Sequence, residues 1–328
     1  MPTLAPCLFA RRDCLRVMAA TMLAAGLAGC SRPLPLLRVG SNGWPGYLLI
    51  EWAAESGLYR DGQIRVIRFP SSTLVMQGLA SGELEAGCLT LDEVLALRAE
   101  GVSLQVVAVL DVSAGADVLL AQDSITELGQ LAGKRIGVEQ SAVGAVMLDA
   151  VLGKAHLLPS DVTIVPLLLD QHEQAFRSGK VDALVTMEPF AKRLLAAGAH
   201  LLFSSVAIPG RIVDVLAVRS DVAPVQMDNL RRLLDGHFRV LTDFGQQDRQ
   251  TLAGLAMLLG ERGKDVASYF WGMNFPDRQE NLSWFDGQSP RLLQSANALM
   301  AVMQSAGLLR TPLSLDDLLL PEVLRGNR

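Results

Sequence analysis

The side chains that could grip a small molecule fall in five short loops. Each loop follows an apolar, strand-like run. The first reads Ser41-Asn42-Gly43-Trp44-Pro45-Gly46-Tyr47. Ser41 and Asn42 offer hydrogen bonds, while Trp44 and Tyr47 offer stacking area with a polar handle. The glycines let a ligand approach the backbone. A core or helix-capping role is the other reading of Trp44. The second loop leads through Ser72 and Thr73 into a helical pattern. Either residue could be the N-cap, or their hydroxyls and the free N–H groups there could hold a polar ligand. Thr90-Leu91-Asp92 and Met187-Glu188-Pro189 each follow a strand and open a helix. Acids at that place suit the helix dipole. Across a cleft, Asp92 and Glu188 could also act as an acid and base pair. The fifth loop offers the Ser141 hydroxyl and orphan N–H donors from Ala142 onward, suited to an anionic or carbonyl group.

Other chemistries lack their residues. There is no G-x-S-x-G elbow and no H-E-x-x-H pair. The loop at Ser141 is neither G-x-G-x-x-G nor a P-loop, so nucleotide phosphates have no signature. His156, His172, His200 and His237 are scattered without metal-ligand spacing. Cys7, Cys14, Cys30 and Cys88 are too few, at the wrong spacings, for a zinc site or a disulfide framework. No metal and no cofactor are expected. The 328 residues are 50% hydrophobic and 19% charged, enough for a substantial core. The formal charge is −5 with no long basic run, which excludes nucleic acid as a partner.

The elements that must position these loops alternate. Strand-like runs lie at 37–40, 64–69, 85–89, 104–110, 135–138, 162–167, 183–186, 200–203 and 213–218. Helical patterns lie at 47–56, 74–81, 92–100, 143–154, 171–178 and 189–197, and 225–305 is mainly helical. Such β-α-β-α order predicts an α/β architecture with largely parallel sheets. Residues 77–109 also align without a gap on residues 174–206, with nine of 33 positions identical, including Ser81-Gly82 and Ser178-Gly179. Any two αβαβ units share this outline, but the same unit twice predicts two similar lobes.

The first thirty residues read as an address. Arg11, Arg12 and Arg16 precede an apolar run of about 12 residues, the length of a signal-peptide h-region and too short to span a bilayer. The run ends in Leu27-Ala28-Gly29-Cys30, which resembles the bacterial lipobox, with Cys30 the lipidated residue. Residues 1–29 are then a signal peptide, exported by the Sec or the twin-arginine route. Residues 30–35 form a lipidated tether. The several acyl chains of such a Cys hold a protein stably at a membrane surface. Cys88 would remain as a buried thiol.

Four segments, in order, resemble one family. Leu131-Ala132-Gly133-Lys134-Arg135-Ile136-Gly137-Val138 is similar to the segment that opens the second lobe of type II periplasmic binding proteins. Gly43-Trp44-Pro45-Gly46-Tyr47 resembles the first ligand loop of the nitrate, sulfonate, taurine and thiamine-precursor branch, the NMT1-like or SsuA-like proteins. The stretch from Asp111 through Ser113 to Asp117 resembles its first crossover. Met187-Glu188-Pro189-Phe190 resembles its W-E-P loop, with Met187 in place of the tryptophan.

The resemblance implies a two-lobed α/β fold, each lobe a mostly parallel sheet flanked by helices. Lobe 1 would hold residues 36–112 and 214–328, and lobe 2 residues 113–213. Two crossovers, near 111–113 and 212–215, would form a hinge and add Asp111, Ser113 and Asp214 to the binding set. It also implies a periplasmic, lipid-anchored, monomeric solute-binding protein. That protein would close on a small molecule and deliver it to the permease and ATPase of an ABC transporter. A ligand sensor for a signalling receptor is the alternative. An enzyme of the same fold, in menaquinone or thiamine-pyrimidine synthesis, is a further one. Ser72, Thr73 and Ser141 would serve an anion such as a sulfonate or nitrate. Asp92, Asp111, Glu188 and Asp214 would serve a nitrogen-containing, pyrimidine-like or amine-bearing solute, and Arg211 is the one arginine near these loops. Several buried carboxylates would compensate an oxyanion poorly, so the balance of residues favours a neutral or nitrogen-containing organic solute, such as a pyrimidine, over a bare oxyanion.

Overall fold

A computed structural model describes residues 35–59, 62–139, 141–188, 190–260, 266–310 and 313–325. Cys30, the expected signal peptide and the tether up to residue 34 lie outside the described residues, as do Gln140 and Pro189.

Labelled in chain order, the strands are β1 (Leu37–Ser41), β2 (Ile64–Arg68), β3 (Ala86–Thr90), β4 (Leu104–Ser113), β5 (Asp117–Ala121), β6 (Arg135–Glu139), β7 (Thr163–Leu167), β8 (Ala183–Met187), β9 (His200–Ser204), β10 (Val213–Arg219) and β11 (Met273–Asn274). Among the described residues they form two sheets, ordered β11-β4-β10-β3-β1-β2 and β7-β6-β8-β5-β9. β1 pairs in parallel with β2 and β3, and β6 with β7 and β8. The largely parallel order holds for most strands, with one reversed strand set inside each sheet and a further one, β11, antiparallel to β4 at the edge of the first. β10 lies antiparallel between β3 and β4, and β5 antiparallel between β8 and β9. Each of β10 and β5 is the first strand after the chain passes from one sheet to the other. It starts where its neighbours end, so Asp117 stands beside Met187 and Asp214 beside Thr90. The sequence reads residues 111–117 as one crossing. The structure ends β4 at Ser113 and starts β5 at Asp117, with three residues between.

The helices that meet the strand ends are α1 (Leu48–Glu55), α2 (Ser72–Ser81), α3 (Leu91–Ala99), α4 (Ala142–Ala155), α5 (His172–Arg177) and α6 (Phe190–Leu195). A 3-10 turn, Pro45–Tyr47, precedes α1. Gly82, at φ 81°, ends α2 in the left-handed conformation that glycine adopts without strain. The later helices are α7 (Ala223–Gly245), α8 (Arg249–Leu258), α9 (Arg278–Phe285), α10 (Arg291–Ser305) and α11 (Glu322–Arg325). None of the described helices is long and apolar enough to cross a membrane.

The internal echo is carried by side chains as well as by elements. β3 and β8 stand at the same offset as the aligned sequences, and so do Arg38 and Arg135. The Arg38 backbone N–H and Nε both donate to Glu85 Oε2, at 2.7 and 2.9 Å. Arg135 makes the same pair of bonds to Asp182 Oδ2, at 2.8 and 3.0 Å. Each guanidinium also reaches the carbonyl of the glycine that ends the preceding helix, Gly82 or Gly179. The main apolar core runs through both sheets, from Leu37, Val106 and Leu216 to Leu119, Ile136 and Met147, with α4 packed on α3 and α10. A smaller cluster with Val118, Phe176, Leu184 and Leu194 covers the other face of the second sheet. Cys88 is fully buried in β3.

Candidate functional site

The carboxyl ends of β1, β3 and β4 meet the start of β10 at one place. Antiparallel pairing sets Asp111 of β4 directly opposite Asp214 of β10. Both are buried, at 0% and 3% exposure, and their carboxyl groups interact directly. Burial pushes Asp111 up to about 7, and burial together with the Asp111 charge pushes Asp214 well above its usual range. Two carboxyls this close, away from water, hold a proton between them near neutral pH.

The first loop is folded onto this pair. Asn42 Oδ1 accepts from the Trp44 backbone N–H at 3.0 Å. The half-buried Trp44 indole donates to Asp111 Oδ2 at 3.3 Å. Tyr47, 1% exposed, donates its hydroxyl to Asp214. Ser41 is buried and donates to Glu51, which is ion-paired with Arg68 at the end of β2. Ser41 and Asn42 therefore hold the loop, and Trp44 and Tyr47 hold the acid pair. Gly46 has to be glycine, because a Cβ there would overlap the Asp111 carboxyl.

Asp117 and Asp92 complete the acidic floor. Asp117 is 4% exposed, its backbone N–H donates to Ser113 Oγ at 3.3 Å, and burial raises its carboxyl to about 6. Ser113 is itself bonded to Ser205 at 2.7 Å, so this hydroxyl pair braces the crossing. Asp92, 5% exposed, is raised by burial and by neighbouring Glu93 to about 7. The negative charge of Asp117 acts on Asp92, Asp111 and Asp214 alike. No arginine or lysine contributes to the protonation of any of the four. Thr90 caps α3, and its backbone N–H bonds to Glu93 at 3.0 Å.

Neither Ser72 nor Thr73 is the N-cap of α2. Ser71 is, in extended conformation, and the helix starts two residues before its first apolar side chain. The polar first turn needs no burial, so the apolar pattern starts late. Ser72 bonds to Glu93, and Thr73 is exposed. On the second sheet, Ser141 caps α4 by accepting from the Gly144 N–H at 3.1 Å, and Ala142 is its buried first residue. Ser141 also bonds to Glu139, whose carboxyl burial raises. Glu188 is buried, accepts from the Lys192 N–H at 3.4 Å, and feels Lys192 and Arg193 rather than Asp92.

Three residues of the site, Asp117, Glu139 and His172, escape a reading of the sequence. His172 lies buried beside Thr186, in a small pocket shared with Asp117, Glu139 and Ser141. The neighbouring acids of the crossing are the available signal for Asp117; a lone histidine on a short helix gives none. A larger cavity, about 580 Å³, lies between α1, α7 and α8 near Trp52, Arg239 and Asp243, away from the strand ends. Among the described residues no cluster of three or more His, Cys, Asp or Glu is placed to hold a metal ion.

Known proteins share this fold. A Brucella abortus protein described as a candidate binding protein is 30% identical over 174 residues, 50% of this chain and 53% of that protein. The match therefore spans about half of that relative's length. The crystal structure of the Escherichia coli periplasmic aliphatic sulphonate binding protein SsuA superposes with a TM-score of 0.72. It is 17% identical and covers 87% of this chain and 96% of its own. A point mutant of the enzyme DszB, in complex with biphenyl-2-sulfinic acid, superposes with a TM-score of 0.66. It is 19% identical and covers 89% of this chain and 98% of its own. These likenesses place the chain in the periplasmic-binding-protein fold. The NMT1/THI5-like sequence profile matches residues 44–231, more than half of the chain, including the ends of β3 and β4 and the start of β10, and the protein belongs to that family.

Proposed function

We propose that this protein is the extracytoplasmic solute-binding component of an ABC importer, and that its solute carries a cationic nitrogen. The lipobox at Cys30 and the family membership support the first part. The two sheets supply the lobes, taken as residues 36–112 with 214–328 and residues 113–213. The crossings between β4 and β5 and into β10 supply the hinge. Closure would bury the solute against both sheets and give the permease a distinct surface to read.

One observation carries the second part. Asp92, Asp111, Asp117 and Asp214 are all at least 95% buried with no basic side chain to neutralise them. An empty site holds them by keeping protons on some of the carboxyls. A cationic nitrogen would take the place of those protons and supply the missing positive charge. The flanking Trp44 and Tyr47 rings suit such a cation as well. A sulfonate, the ligand class named for SsuA, would add negative charge to a buried acidic floor. An enzyme of the same fold, as DszB is, is the rival. Cys88, the free thiol among the described residues, is a poor nucleophile for such a role: it is sealed inside β3 and pushed well up by burial.

Thermal unfolding at pH 8 against ethanolamine, 1,4-diaminobutane, an aminopyrimidine, butanesulfonate and nitrate tests this. A ligand at 100 times its Kd adds about 2.7 kcal/mol. The amines should raise the unfolding temperature and the oxyanions should not. Stabilisation by butanesulfonate or nitrate alone would overturn the cationic reading.

A further inference from the structure

At the second-sheet end of the cleft lies a cavity of about 10 Å³, close to the room that a single water-sized group needs. Asp117, Glu139, Ser141, His172 and Thr186 line it. His172 opens α5 and is 1% exposed. Its Nδ1 lies 3.0 Å from Thr186 Oγ1, and its Nε2 has no partner. Burial lowers its pKa to about 4, so the ring is neutral at neutral pH. With Nδ1–H given to Thr186, Nε2 carries a lone pair and accepts. A buried polar atom left unpaired in this way calls for an occupant.

The two acids have spare acceptor capacity too. The Ser113 hydroxyl is bonded to Ser205 and Ser141 Oγ accepts the Gly144 N–H, so both acids keep acceptor sites, and an ionised carboxylate accepts about four hydrogen bonds. Three acceptors from three residues therefore surround a space for one small group. A primary ammonium has three N–H donors, a matching size and the opposite charge. A trimethylammonium has no N–H and is several times larger.

We propose that this cavity is the subsite for a primary ammonium end of the solute, with Asp117, Glu139 and His172 Nε2 each accepting one N–H. His172 is then the residue that sets specificity against N-methylated amines. The proposal rests on the cleft being a cationic-solute site.

Ethanolamine and choline differ only in N-methylation, so titrating both into the protein by calorimetry is the test. Ethanolamine should bind at least tenfold more tightly than choline. His172→Leu should weaken ethanolamine at least tenfold and leave choline unchanged. His172→Gln, which keeps a carbonyl acceptor, should recover part of the loss. If the leucine variant fails to fold, the glutamine variant and ¹⁵N-histidine spectra of the unsubstituted protein decide. The His172 Nε2 resonance should be that of an unprotonated nitrogen and should move when ethanolamine binds. Equal binding of the two amines, or an Nε2 resonance that ethanolamine leaves in place, would overturn the subsite and leave the cationic reading standing. Binding of neither amine would overturn both.

Discussion

Asp111 and Asp214 face each other across two antiparallel strands, where neither can ionise freely beside the other. Folding raises Asp92 and Asp111 to about 7 and Asp117 to about 6, against an unfolded aspartate near 3.9. The native state therefore holds protons that the unfolded chain has already released. That stabilisation is present at low pH and is lost as pH rises through the native values. His172 and His237, lowered by burial to about 4, act in the opposite sense, but mainly below the unfolded histidine value near 6.5. Between pH 8 and 6.5 proton uptake by the raised carboxyls outweighs the partial protonation of the two unfolded histidines, so the solute-free protein should melt higher at pH 6.5 than at pH 8. Asp111→Asn should flatten that difference and stabilise the solute-free protein at pH 8 by about 1 kcal/mol or more, the worth of about one pKa unit. It should also weaken amine binding at least tenfold, as scanning calorimetry and titration would show. The residues of this centre are partly legible in the sequence. Asp92, Asp111, Asp214, Trp44 and Tyr47 stand out as polar or aromatic residues at strand ends. Asp117 and His172 do not, because their roles depend on a strand start and a fold-distant pocket that no local pattern encodes.

At the scale of elements, the 3-10 turn before α1 decides whether the acid pair can form. Gly46 lies in that turn against the Asp111 carboxyl and the Trp44 indole. Gly46→Ala should push the turn away from β4 and destabilise the protein by about 1–3 kcal/mol, as overpacking does. It should also lower solute affinity, as chemical denaturation and titration would measure. Most elements are legible from apolar runs, and the strand ends that carry the site fall within three residues of their structural positions. The misses have local causes. The polar first turn of α2 hides its start. β5 follows β4 after three residues, too close for a break to register. The repeat is legible as helix and strand, while the matched arginine bonds of Arg38 and Arg135 become visible only in three dimensions.

At the scale of the molecule, two sheets built on one repeated plan meet at their strand ends, and the chain passes between them where the buried acids gather. The fold is that of proteins named for sulfonate binding, yet four buried aspartates gather at these strand ends, and among the described residues no arginine or lysine offsets their raised pKa values. The proposed cationic solute rests on that charge, which is the local property that a solute meets. The most direct measurement is to purify the protein from cells grown in complex medium, denature it, and identify the released solute by mass spectrometry. A small compound with a primary ammonium group is the result this account predicts. An alkylsulfonate without basic nitrogen would contradict it.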